Sequence, residues 1–104
     1  MKHYTIVEFT VKNTDWISEY AEVVTNIVER MGGKYLARTS DVDAMEGNIV
    51  PGTTSVIIEW PSKDLAMSFY NSDEYKPYLE SRLSATMGTL MIVAGKDDSH
   101  QSQL

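Results

Sequence analysis

Two stretches of alternating side chains constrain the fold of this chain most strongly. Residues 3–11 and 54–60 are rich in β-branched and aromatic types, which indicates two β-strands. Because successive strand residues point to opposite faces of a sheet, each stretch has one nearly all-apolar face and one mixed face. The apolar set is Thr5, Val7, Phe9, Val11, Val56, Ile58 and Trp60, and the mixed set is Tyr4, Ile6, Glu8, Thr10, Ser55, Ile57 and Glu59. The apolar set predicts a sheet that is covered by helices on one side.

The segments around these two strands indicate helices and two further strands. Apolar residues recur at helical spacing over residues 16–31 and, in two pieces, after Pro61. Since proline is tolerated best in a first helical turn, Pro77 places the start of the last piece near residues 73–76. The order β-α-β-β-α-β predicts an α+β, ferredoxin-like fold, in which the helices cover one face of a four-stranded antiparallel sheet. The two remaining strands are predicted at residues 34–39 and 87–95.

The length allows one domain and no more. We expect this single domain over residues 1–96 of the 104, followed by a polar tail at residues 97–104. Within the domain, residues 40–53 would be long for a bare loop in a compact protein. Part of this segment is therefore predicted to form a hairpin arm around residues 43–47.

Composition excludes several classes of function. The chain has no cysteine, which excludes disulfides, thiolate chemistry and cysteine-based metal sites. Fifteen acidic residues against nine basic ones give a net charge of −6, and no Lys/Arg cluster is available for nucleic acid or an anionic membrane. The longest apolar runs fall far short of the ~20 residues that span a bilayer, and the first residues lack the apolar core of a signal peptide. We expect a cytoplasmic protein.

A metal site is not expected either. Asp41, Asp43 and Glu46 form a small acidic group, but Met45 breaks the spacing of a calcium loop. No histidine pair is present for zinc. We therefore predict neither a metal nor a cofactor.

The mixed face of the sheet predicts an assembly. It is too apolar to be left in water and too polar for an ordinary core. A helix-free sheet face of this kind is suited to burial against its own copy. We therefore expect a homodimer whose two sheets face each other and enclose a partly polar interior.

Several motifs also resemble a known family. The runs GGKYLAR (residues 32–38), VIIEWPS (56–62) and FYNSDEY (69–75), followed by Arg82, are similar to the pattern of the DUF1330 family. This is a domain of unknown function in the dimeric α/β-barrel superfamily. The resemblance spans residues 4–95 and implies a ferredoxin-like fold and a homodimer, but no established catalytic residue. Relatives within that superfamily include cofactor-independent monooxygenases, isomerases and haem degraders.

Three charged residues are the first candidates for a site. Glu8 and Glu59 are predicted on neighbouring strands of the mixed face, and Arg38 is predicted on the strand beside Glu59. Two carboxylates near one guanidinium can bind a polar ligand, or one carboxylate can act as a base with a raised pKa. The alternative is a structural ion network across the dimer.

Further side chains are candidates for contact with a ligand. His3 begins the first strand and is a candidate base, although strand-end histidines are usually ordinary surface residues. Tyr4 lies on the mixed face, and Tyr78 is a candidate phenol at the edge of a pocket. Arg82 follows the apolar stripe of Tyr75, so its stem is expected to pack there while its head pairs with an acid. Tyr75 itself is expected to fill the core or an interface.

Three functions remain open from the sequence. The first is a homodimer that binds a small molecule near its interface. The second is a cofactor-independent enzyme of the oxygenase or isomerase type that uses the same cleft. The third is a structural or interaction module with no pocket, whose polar face is consumed by ion pairs between subunits. An enclosed pocket with convergent polar groups favours the first two.

Overall fold

The computed structural model describes residues 1–99 and has the predicted element order, with the second helical region divided in two. Residues 100–104, the end of the predicted polar tail, lie outside the described residues. The division into a domain over residues 1–96 and a tail over residues 97–104 stays a prediction. No helix within residues 1–99 is long and apolar enough to cross a membrane, and the cytoplasmic location likewise stays a prediction. The elements are β1 (His3–Val11), α1 (Ile17–Arg30), β2 (Lys34–Thr39), β3 (Thr54–Trp60), α2 (Lys63–Tyr70), α3 (Lys76–Ala85) and β4 (Thr86–Ala94).

The four strands form one antiparallel sheet in the order β2-β3-β1-β4. Val7 lies opposite Val56 on β3 and opposite Leu90 on β4, so these three side chains share the helix-covered face. Ile6 lies opposite Ile57 and Met91 on the other, helix-free face. The α+β, ferredoxin-like fold is confirmed, and the register fixes which residues of β4 face the helices.

A β-bulge in β2 changes the face of every residue that follows it. Tyr35 pairs with Ile58, but Ala37 pairs with the adjacent Ile57, so Leu36 is an extra residue. Beyond the bulge, Arg38 lies opposite Val56 and therefore on the helix-covered side. Strict alternation would place Arg38 on the same face as residues 34 and 36. That expectation fails, because the extra residue shifts the phase of the strand by one.

Aromatic packing joins the sheet to the helices. Trp60 is fully buried, and its Nε1 donates to Thr5 Oγ1 at 3.0 Å. Its ring stacks on Phe69 of α2 with centroids 5.4 Å apart, and Phe69 packs on Tyr75 at 4.3 Å. Three residues of α1 complete this core, Val24, Ile27 and Val28.

Local capping fixes where the two later helices begin. Ser62 caps α2 by accepting a hydrogen bond from the backbone N–H of Leu65 at 3.2 Å. Ser72 Oγ accepts from the backbone N–H of Tyr75 at 3.2 Å, and Pro77 occupies the first turn of α3. The prediction that the last helix starts within residues 73–76 is confirmed. The same contacts hold Tyr75 at the junction of α2 and α3.

The segment between β2 and β3 differs from the expectation. Residues 40–53 contain neither helix nor strand, so the predicted hairpin arm around residues 43–47 is wrong. Thr53 Oγ1 donates to the carbonyl oxygen of Val50 at 2.7 Å and closes a turn before β3 begins. Gly47 and Gly52 both have positive φ, which bends the loop without strand pairing.

Candidate functional site

The two predicted carboxylates lie on one sheet face but far apart. Glu59 lies opposite Tyr4 on β1, whereas Glu8 lies opposite Ser55. Tyr4 and Glu8 are four positions apart on β1, which corresponds to about 13 Å along a strand. Glu59 forms an ion pair with Lys2 at 3.2 Å. The helix-free face therefore does not bring the two carboxylates to one point within a subunit.

Arg38 points away from both carboxylates. Its Nη1 donates to Thr25 Oγ1 of α1 at 2.6 Å, and its Cζ lies 3.9 Å from the centroid of the Tyr35 ring. The predicted approach of Arg38 to Glu59 is therefore wrong, because the bulge at Leu36 turns Arg38 to the helix-covered side. A ligand-binding role for Arg38 stays a prediction, now on that side of the sheet.

The remaining candidates are dispersed. His3 Nδ1 lies 3.1 Å from the carbonyl oxygen of Met1, at the start of β1. Tyr4 lies opposite Val93 on the helix-free face. Tyr78 lines a surface groove with Trp16 and does not line the cavity between the sheet and the helices that is described next. Whether any of these three binds a ligand stays a prediction.

A cavity of about 210 Å³ lies between the sheet and the helices. Its walls come from β1, β3 and α1, with contributions from β2, β4 and the α2–α3 region, and most are apolar. Trp16, Phe69 and Val56 supply much of the apolar lining, while Arg38 and Ile17 are exposed and mark its rim. Such a mostly apolar enclosure with few polar groups is typical of a small-molecule site.

Three polar side chains from separate elements meet in the wall of this cavity. The hydroxyl of Tyr20 on α1 lies 2.6 Å from the hydroxyl of Tyr75, and Arg82 Nε donates to the Tyr75 hydroxyl at 3.4 Å. Tyr75 and Arg82 are only 2% and 7% exposed. Arg82 Nη2 is buried and has no hydrogen-bond partner within residues 1–99. Arg82, which lines the cavity, is thus a buried cation with one unused donor.

The electrostatics of the cavity are those of a cation among neutral phenols. Burial raises the pKa of Tyr20 far above its usual range, and the Tyr75 hydroxyl raises it further, outweighing the lowering by Arg82. Burial likewise raises the pKa of Tyr35 despite the nearby Arg38. For Arg82, burial lowers the pKa, but the phenol oxygens of Tyr75 and Tyr20 outweigh burial and the net shift is upward. No carboxylate or imidazole lines this cavity within the described part of the chain.

No metal centre is found in the described structure. Residues 1–99 contain no group of three or more His, Cys, Asp or Glu side chains arranged to hold an ion. Asp41, Asp43 and Glu46 lie exposed on the loop between β2 and β3. The polar side chains that line the cavity carry guanidinium and hydroxyl groups, and no carboxylate or imidazole stands among them in this part of the chain.

Comparison with known proteins places the chain in a family. Residues 2–96 match the sequence profile of a family described as a domain of unknown function, DUF1330. The chain belongs to the DUF1330 family. A comparison with curated proteins found no match for this DUF1330 chain. The family match over residues 2–96 confirms the resemblance that the motifs indicated.

Solved structures share the fold of this DUF1330 protein at low sequence identity. A cofactor-independent oxygenase from Streptomyces nogalater, SnoaB, has a TM-score of 0.66 and 10% identity, covering 92% of this chain and 94% of that one. RPA0582, a protein of unknown function from Rhodopseudomonas palustris, has a TM-score of 0.68 and 14% identity, covering 91% and 83%. A Bacteroides thetaiotaomicron protein described as a possible oxidoreductase has a TM-score of 0.53 and 12% identity, covering 88% and 94%. These likenesses support the ferredoxin-like α+β fold, and they show the fold alone.

Two residues of the DUF1330 cavity, Arg38 and Arg82, were candidates from the sequence, but their surroundings were predicted wrongly. Arg82 was a candidate, but its head was expected to pair with an acid, and no ion pair found within residues 1–99 involves it. Tyr75 was expected as packing, and its ring does fill the core. Tyr20 was interpreted only as one of the residues at helical spacing over residues 16–31. The available signal was that a buried phenol requires a hydrogen-bond partner, and two such phenols imply a polar spot within the core.

The raised pKa of Tyr20 predicts a pH dependence of stability. A phenol whose folded pKa lies above its unfolded value of about 10 stabilises the fold fully below that pH, and this contribution is lost as pH rises further. Urea unfolding of the wild type at pH 8 and pH 11 should show a loss of unfolding free energy, and Tyr20→Phe should show a smaller loss. Trp16→Phe is the control, because it alters packing beside Tyr20 without removing a titratable group. Equal losses in the wild type and Tyr20→Phe would contradict this interpretation.

Proposed function

We propose that this DUF1330 protein binds a small, largely apolar molecule in the cavity between the sheet and the helices. The observation that carries the proposal is an apolar cavity of about 210 Å³ with a buried polar cluster in its wall. A cavity of about 150 Å³ is enough to hold benzene in an apolar protein interior. The ligand is therefore of the size of one aromatic ring with a substituent. Enclosed space of this kind supports binding over a module that has no pocket.

The proposed site differs in position from the one expected between subunits. The cavity lies on the helix-covered side of the sheet, where Val7, Val56 and Leu90 face the helices. The helix-free side carries the expected dimer surface instead. Ligand binding and dimerisation would thus use opposite faces of one sheet. The candidates on the helix-free face would contribute to the interface, whereas Arg38 and Arg82 border the cavity.

A homodimer through the helix-free face is the second part of the proposal. Met87 and Met91 are 65% and 48% exposed on this face, and Val93 lies beside them on β4. Single exposed apolar residues need no explanation, but a row of them along a sheet indicates a covered surface. A second copy of the chain presents the same self-complementary strip and can cover it around a two-fold axis.

An enzyme that acts on the bound molecule is the second candidate function. It is favoured by Arg82, because a buried guanidinium beside two phenols stabilises a substrate anion in surroundings of low polarity. The fold is shared with a cofactor-independent oxygenase. In such a reaction an acidic methylene group becomes a carbonyl; one atom of dioxygen enters the substrate, and the other leaves as water with the two methylene hydrogens. An isomerase would use the same anion without dioxygen.

Filling the cavity should abolish binding without unfolding the protein. Val56→Phe places a ring in the cavity, and overpacking of this kind typically costs about 1–3 kcal/mol. We expect the affinity for 4-fluorotoluene, followed by its ¹⁹F resonance, to fall at least about tenfold relative to the wild type. Val50→Phe, on the exposed loop, is the matched control and should bind as the wild type does. The proposal fails if the wild type shows no saturable binding, or if Val56→Phe binds equally well.

Dimerisation can be tested independently of the ligand. Light scattering at micromolar concentration should give about twice the chain mass of 11.7 kDa. Met91→Glu places a charge in the proposed interface and should shift the mass towards that of one chain, since an unpaired buried charge is costly. Met67→Glu makes the same change at an exposed position of α2 and should leave the mass unchanged. A monomeric wild type would contradict the proposed assembly.

Dioxygen uptake separates the enzyme from a simple binding protein. An oxygen electrode is used with a panel of hydroquinones and of cyclic ketones with acidic C–H bonds. If the oxygenase candidate holds, the wild type should consume oxygen above the rate without protein, and Arg82→Met should fall at least about tenfold, since one charge-stabilising group is typically worth that much or more. Rates equal to the protein-free control across the panel would exclude oxygenation of these compounds and leave binding as the function.

A further inference from the structure

The donors in the cavity wall outnumber the acceptors that serve them. Tyr20 and Tyr75 carry two hydroxyl protons, and one of these is used in the hydrogen bond between them. Whichever way that bond runs, one phenolic proton remains available. Arg82 Nε is already engaged with the Tyr75 oxygen, and Arg82 Nη2 has no partner within residues 1–99. Within residues 1–99, one phenolic proton and Arg82 Nη2 therefore form no hydrogen bond, although the Tyr20 oxygen lies near enough to the guanidinium to raise the pKa of Arg82.

The charge on Arg82 is also left without a counter-ion. Arginine keeps its proton in proteins, so the buried group is a permanent cation. The ion pairs found within the described residues are Lys2–Glu59, Arg30–Glu74 and Lys96–Asp98, all at the surface. No acidic side chain lines the cavity in this part of the chain. A buried charge is costly unless it is paired, and no acidic side chain of residues 1–99 pairs this one, so a bound anion would satisfy the site.

We propose that the cavity is built for an aromatic carboxylic acid of about one ring, bound as its anion. The inference rests on the proposed binding function and assigns the class of its ligand. The ring would occupy the apolar part of the cavity beside Trp16, Phe69 and Val56. The carboxylate would accept from Arg82 Nη2 and from the free phenolic proton, which are charge-assisted hydrogen bonds in water-poor surroundings.

A matched pair of ligands tests the charge without changing the shape. Calorimetric titrations at pH 7.5 compare 4-ethylbenzoate with 4-ethylbenzamide, a neutral compound of nearly the same size. The wild type should bind the carboxylate at least about tenfold more tightly than the amide, because a carboxylate is needed to pair the buried cation. Arg82→Met should lose that preference and still bind the amide. Arg30→Met is the matched control, since Arg30 pairs with Glu74 at the surface and lies outside the cavity.

The melting temperature of the free protein distinguishes an arginine that serves ligand binding from one that only stabilises the fold. Replacing an uncompensated buried charge by an apolar side chain of similar volume is neutral or stabilising. The melting temperature of Arg82→Met without ligand should therefore equal or exceed that of the wild type. Any fall in the melting temperature beyond the error of the measurement would show that Arg82 stabilises the fold, and would overturn the inference.

The outcomes separate this inference from the function on which it rests. If the wild type binds 4-ethylbenzoate and 4-ethylbenzamide equally, the anion site is refuted while cavity binding stands. If it binds neither of these compounds nor 4-fluorotoluene, both proposals fail. If Arg82→Met keeps the preference for the carboxylate, Arg82 does not recognise the anion and the inference is wrong. The comparison of the two ligands in the wild type requires no variant and decides the question even if Arg82→Met does not fold.

Discussion

The buried Tyr75 is the constraint on which the arrangement of the helices depends. Its ring packs on Phe69, which in turn stacks on Trp60 of the sheet, so the residue is part of the continuous aromatic core. Its hydroxyl cannot be left unpaired in that core, since an unsatisfied buried hydroxyl costs about 1–3 kcal/mol. The hydroxyl of Tyr20 and Nε of Arg82 satisfy it. One phenol therefore joins α1, the α2–α3 junction and α3, and it places a polar cluster against an apolar cavity.

The fold was predictable because its signals are local and repeated. Period-two alternation identified β1 and β3, and the constraint on Pro77 identified where the last helix begins. The face of Arg38 was not predictable, because a single extra residue in β2 carries no signature in residue types. The site was predictable only in part. Arg82 was among the candidates, but its lack of a carboxylate partner depends on which elements meet in three dimensions.

If the cavity binds an anion as proposed, the polar cluster illustrates a conflict between stability and binding. A methionine at position 82 would fill similar space without the cost of burying a charge, so the arginine does not serve the free protein best. Residues of this kind are common where a site is preorganised for a ligand that supplies the missing partner. The raised pKa of Tyr20 has the same origin, because burial and the Tyr75 hydroxyl both disfavour the phenolate.

The bulge at Leu36 has a consequence for how such a cavity changes over evolutionary time. β2 is an edge strand, so only its pairing with β3 responds when its length changes by one residue. Loss of the extra residue would restore regular alternation and leave Tyr35 opposite Ile58 and Arg38 opposite Val56, so both would keep their faces. The cation at the rim of the cavity would therefore stay where it is. A one-codon insertion or deletion at this sheet edge can thus be absorbed by the bulge while the residues that line the cavity keep their positions.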